Sequence, residues 1–133
     1  TPVIAYSDIV SYSPDDYSFE FSDQAKDAVF EAEPTVYGQA FAVVADGEVI
    51  YSGYFWPGFF SSMCLWICID PLSLNSSNMV NVNLGYPKLP EHVSIPDKRN
   101  DERLLRIFER DGKLKSTKRL NTYFSEKSDL SYR

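Results

Sequence analysis

Residues 38–69, GQAFAVVADGEVIYSGYFWPGFFSSMCLWICI, hold an apolar run, a two-residue turn and two further apolar runs. Asp46-Gly47 lies between the runs 40–45 and 48–56. An Asp-Gly pair flanked by strand-forming residues is a strong hairpin signal, because a type I′ turn needs positive φ at both central positions. The stretch therefore predicts the centre of an antiparallel sheet. Run 40–45 is uninterrupted by polar groups, which predicts a central strand or one covered on both faces. Run 48–56 mixes polar and aromatic residues and stops at Pro57-Gly58. In 59–69, Met63, Leu65, Ile67 and Ile69 alternate with Cys64, Trp66 and Cys68; neither face is polar, so the run reads as an interior strand.

Upstream, residues 8–12 and 17–21 flank Ser13-Pro14-Asp15-Asp16, whose turn chemistry predicts a second hairpin. Tyr17, Phe19 and Phe21 alternate with Ser18 and Glu20, giving that arm one aromatic face. Residues 1–7 add an edge strand or a tether. Ser22 or Asp23 can cap a helix over 23–32, with Ala25, Ala28, Val29 and Ala32 at helical spacing and Pro34 forbidding continuation. Downstream, 71–78 reads as a polar loop and 79–84 as an alternating strand with Asn81 and Asn83 facing outward. Pro87, Pro90 and Pro96 keep 85–96 extended. Asn100 or Asp101 can cap a second helix over 102–111, where Leu104, Leu105, Ile107 and Phe108 form one stripe and Arg103, Arg106 and Arg110 the other side. Gly112 stands where a C′ glycine belongs. The sum is one α+β domain over 1–114: an antiparallel sheet of four to six strands with two helices mainly on one face. The tail 115–133 has no clear period and is either docked or disordered.

A chain of 133 residues, 44% hydrophobic and 15% aromatic, is long enough for one domain with a core. Its formal charge of −6 argues against a generic nucleic-acid binder, which needs a basic face. The charge is uneven. Residues 1–96 carry twelve acidic side chains and two basic ones; residues 97–133 carry seven acidic and eleven basic. This predicts that the basic end lies against the acidic body, or else serves an anionic partner. Two cysteines and one histidine are too few for a zinc site of Cys/His type, and nothing points to a cofactor. On a regular strand Cys64 and Cys68 would be about 13 Å apart, beyond the roughly 7 Å limit for a disulfide, so they read as buried free thiols unless the segment is helical or bulged. No run approaches the roughly 18 apolar residues of a membrane span, and no signal peptide is recognisable. A start at Thr1 fits a form cut behind a removed leader.

The sequence holds no GxSxG, P-loop, dinucleotide-binding glycine or HExxH pattern. His92 sits beside Glu91 in the proline-rich connection, but neighbours on an extended chain point oppositely, so it reads as a surface histidine. Asp15-Asp16 lacks the alternating ligands of a calcium loop and reads as turn acids. Asn75-Ser76-Ser77 matches a glycosylation acceptor, meaningful in a eukaryotic secretory setting. One feature stands out: Tyr51, Tyr54, Phe55, Trp56, Phe59, Phe60 and Trp66, gathered around a single turn. Consecutive strand residues face opposite sides, so not every ring is easily buried. Tyr54, Phe55, Trp56, Phe59 and Phe60 are therefore the candidate binding residues, for a protein, a peptide or a second copy of the chain; the alternative is that they fill the core. Ser61-Ser62 adds hydroxyls but no base.

Asp8-Ile9-Val10-Ser11-Tyr12, Phe19-Glu20-Phe21-Ser22, the stretch from Gly38 to Ile50 and the helix ending in Asp111-Gly112-Lys113-Leu114 together resemble an uncharacterised family of small bacterial envelope proteins of lipoprotein type. Over residues 8–70 the order of strand, helix and Asp-Gly hairpin also resembles the periplasmic head subdomain of SecD and SecDF. The resemblance implies a module outside the cytoplasm, in the periplasm or anchored by its removed leader, and carries over no catalytic residue. The aromatic turn 54–60 departs from the small, glycine-rich sequence of that head. The function these readings support is a non-catalytic binding module of a bacterial envelope. A small enzyme of hydrolase type, or a domain that dimerises through its sheet, is the alternative.

Overall fold

In the computed structural model, which describes residues 4–33 and 35–115, Asp46 and Gly47 both take positive φ, 52° and 78°. They close the predicted hairpin between β3 (Ala40–Ala45) and β4 (Glu48–Phe55). The register shifts between Val43 and Val44, leaving Ile50 unmatched. This bulge buries two successive β4 residues, Ile50 and Tyr51. The second predicted hairpin also forms, from β1 (Ile9–Ser13) and β2 (Ser18–Phe21). Tyr17 is not part of it: at φ 58° it belongs to the turn. Ser22 caps α1 (Asp23–Ala32), its hydroxyl accepting from Ala25 N at 3.2 Å. Asp101 caps α2 (Glu102–Arg110) in the same way, and Gly112 follows at φ 69°. The segment read as a polar loop contains a 3-10 turn, Pro71–Asn75, that buries Leu74. Another covers Tyr6–Asp8, across the end of the segment read as strand or tether and the first residue of the predicted hairpin arm. The tail beyond residue 115 and residues 1–3 lie outside the described residues.

The sheet has six strands, in the order β1-β2-β6-β5-β4-β3, with β5 Cys64–Ile69 and β6 Met79–Tyr86. It is mixed. Four neighbouring pairs are antiparallel, but β4 and β5 run parallel, with Tyr54 opposite Cys68 and Phe55 opposite Ile69. A parallel neighbour requires the chain to travel back before starting the next strand. Residues 56–63 make that journey, so the predicted strand 59–69 begins at Cys64. One face of the sheet presents Phe19, Phe21, Ile67, Ile69, Val80 and Val82 to Ala25 and Val29 of α1 and to Leu104, Leu105 and Phe108 of α2, forming one core. Among the described residues no helix covers the other face. Run 40–45 therefore proves to be a half-covered edge strand: Phe41, Val43 and Ala45 face the helices, while Val44 is 57% exposed and Ala40 and Ala42 are open. Two alanines on the open row hid the alternation.

Within the described residues the basic C-terminal part is held partly by its own acids and partly by Glu20 and Glu48 of the acidic body. Arg99 makes a two-pronged pair with Asp97 at 2.8 and 2.9 Å, donates to the Val82 carbonyl at 2.9 Å and lies 3.5 Å over the Tyr17 ring. The buried Tyr12 hydroxyl shares its one proton between Asn100 Oδ1 at 2.7 Å and the Arg99 carbonyl at 2.9 Å. Beyond α2, the backbone at Leu114 forms a parallel bridge with Tyr12 and covers the β1 edge. Lys115 reaches Glu20 at 3.4 Å.

The two buried tyrosines make a test. Tyr12 is bonded, whereas the Tyr51 hydroxyl is buried without a partner among the described residues. Tyr12→Phe is expected to cost about 1–2 kcal/mol in urea unfolding, and Tyr51→Phe to leave stability unchanged or raise it by up to about 1 kcal/mol. Equal losses would contradict the hydrogen-bonding described.

Candidate functional site

The candidate site is built on the return between β4 and β5. Pro57 is fully buried and plugs the loop into the fold. Trp56 N donates to the Ile69 carbonyl at 2.8 Å, and the Tyr86 hydroxyl donates to the Gly58 carbonyl at 2.6 Å. A Cβ on Gly58 would come within 3.0 Å of Asp70 Oδ2, so glycine admits this close approach. The Trp56 indole then spans the loop by donating to the Ser62 carbonyl at 3.0 Å.

Of the five predicted residues, the structure gathers three. Trp56 and Phe60 have ring centres 5.1 Å apart, and Phe59 and Phe60 5.5 Å, both edge to face. Phe55 is separated from them: it points to the helix side, where its ring meets Phe41 at 5.3 Å and joins the core. Tyr54, next along the strand, projects from the opposite, uncovered face and is 41% exposed. Alternation along β4 divides the pair, as the period of a strand demands. Trp66 lies on the uncovered face too, its indole donating to the Ser52 carbonyl at 2.9 Å.

A fourth ring completes the cluster. Tyr37 packs edge to face on Phe59 at 5.4 Å and on Phe60 at 6.3 Å. It stands between α1 and β3, where no periodicity marks it in the sequence. Its hydroxyl stands near the carboxylates of Glu33, the C-cap of α1, and of Asp70; burial first, and then these carboxylates, push the phenol above its ordinary range. Glu33 Oε1 is buried without a hydrogen-bond partner among the described residues. The result is a rim of Tyr37, Trp56, Phe59 and Phe60 with carboxylates at its base. Phe59 at its crest is 63% exposed.

Ser62 contributes its carbonyl to the rim's hydrogen bonding, and His92 is exposed in the separate connection after β6. Among the described residues no group of three or more His, Cys, Asp or Glu is placed to hold a metal ion. No described helix is long and apolar enough to cross a membrane. A scan against protein-family models finds no match, and searches of the curated proteins and of the solved structures find no relative of this chain.

Cys64 and Cys68 are free and buried, as predicted. The register shift between Cys64 and Ile67 makes β5 irregular, and the Cys68 thiol interacts with Cys64 as well as with the Gly85 carbonyl at 3.4 Å. Burial first, then Cys64, pushes the Cys68 thiol from its ordinary 9.0 up to about 12. Iodoacetamide at pH 8 is therefore expected to alkylate Cys68 in the unfolded chain and to spare it in the native one. Because the folded state holds this proton more tightly, its contribution to stability is complete below about pH 9 and declines as the pH rises towards 12. Cys68→Ala should flatten that decline in urea titrations; an unchanged profile would refute the assignment.

Proposed function

We propose that this chain is a non-catalytic binding module whose aromatic rim receives a protein or peptide segment. The observation that carries the reading is Phe59: a large apolar ring 63% exposed, yet held by two ring neighbours on a loop anchored to β5 and β6. Exposed apolar surface that is already ordered loses little side-chain freedom on binding, which is what a recognition anchor needs. Work outside the cytoplasm of a bacterial cell, in the periplasm or at the envelope, belongs to the same proposal; what supports it is the resemblance of residues 8–114 to envelope proteins and of 8–70 to the SecD head. The test is selection of displayed peptides on the purified chain. Phe59→Ala should keep the wild-type melting temperature within a few degrees and lose the enriched peptides. Enrichment that survives Phe59→Ala would sink the reading.

Dimerisation through the sheet is a second reading, favoured by β3. This strand ends the sheet order, carries no charged residue and presents Ala40, Ala42 and Val44 on the uncovered face. Uncharged edge strands invite pairing with another chain. Light scattering would then find a dimer, which Val44→Lys converts to a monomer; a wild-type monomer at high concentration removes this reading.

A further inference from the structure

The charge around the rim narrows what it receives. At its base, near the Tyr37 hydroxyl, Glu33 leaves Oε1 buried and without a hydrogen-bond partner among the described residues. Asp70 uses Oδ1 to accept from Leu72 N at 2.9 Å and turns Oδ2 towards Gly58 in the rim loop. Both charged groups that act on the Tyr37 hydroxyl are carboxylates. The cation of α1, Lys26, is engaged elsewhere, 5.9 Å over the Phe30 ring and 3.4 Å from Asn78 Oδ1.

Each class of ligand meets this arrangement differently. An anion would be repelled by two carboxylates. A purely apolar side chain would cover the rings but leave the two carboxylates without a counter-charge beneath an apolar cover, which is costly. A cation gains from both: aromatic faces attract it through the ring quadrupole, and a partly buried carboxylate supplies charge and an acceptor. The chain's net charge of −6 draws cations in from a distance.

Resting on the binding-module reading, we infer that the rim takes a lysine or arginine side chain of a peptide or protein partner, with Tyr37, Phe59 and Phe60 around the cation and Glu33 and Asp70 as its counter-charges. Rim-dependent peptides obtained by display are resynthesised with lysine and with acetyl-lysine, and their affinities are measured by fluorescence anisotropy at low and high salt. The expected result is that they share a basic residue, that acetylation weakens binding about tenfold or more, and that added salt weakens the lysine form alone. Acetylation acts on the peptide, so the protein's fold is untouched. Glu33→Gln, checked by thermal melting, should lower affinity for the lysine peptide and leave the acetylated one unaffected. Equal binding of the two peptides, still abolished by Phe59→Ala, overturns the cation and spares the rim. Absence of any peptide that depends on Phe59 overturns both.

Discussion

The parallel alignment of β4 and β5 is the constraint on which the rest depends. In an otherwise antiparallel sheet it forces the chain to leave the end of β4, travel back past the strand and start again beside it. Parallel connections are usually helical and longer. Here residues 56–63 suffice because the register is short, two matched pairs at the strand ends. A loop this brief cannot build a hydrophobic layer of its own, so it is fastened at intervals by Pro57, by the Trp56 backbone and by the Tyr86 hydroxyl. What cannot be folded inward stays outside as rings packed edge to face on one another. The rim is thus first of all a by-product of topology.

The opposite end of the sheet is held by polar contacts. Arg99 gathers a carboxylate, a backbone carbonyl and an aromatic face, and its side chain is only 11% exposed. Such a site differs from the exposed pairs, such as Arg106 with Glu102 and Arg110 with Asp111, which contribute little in water. Charge separation along the sequence becomes contact in space: basic residues from the last third meet acids of the first half at Glu20 and Glu48.

Much of this was legible before the coordinates, and the reasons are local. The Asp46-Gly47 hairpin, the span of α1 and most of α2 follow from turn chemistry, caps and helical spacing, all of which act over a few residues. Strand direction does not. Nothing in 59–69 distinguishes an antiparallel continuation from a parallel return, because the deciding interactions lie with β6, far along the chain. The same limit governs the candidate site. Trp56, Phe59 and Phe60 were visible as a cluster in one turn. The departure of Phe55 required knowing which face of β4 the helices cover, and Tyr37 joins only because the segment between α1 and β3 packs against the loop.

One further consequence lies at the β1 edge. Lys113 donates to the carbonyls of Tyr6 and Ile9 at 3.0 and 2.7 Å, and the Tyr6 hydroxyl donates to Asp111 at 2.7 Å. The strand-like segment leaving α2 therefore runs beside the segment leading into β1. A fold whose incoming and outgoing chain meet at one spot is geometrically suited to grafting: spliced into a surface loop of a host protein, it would stretch neither flank. Trimmed to these two points and bridged there, it is equally suited to circular permutation, with a new opening cut at Asp46-Gly47, on the opposite border of the sheet.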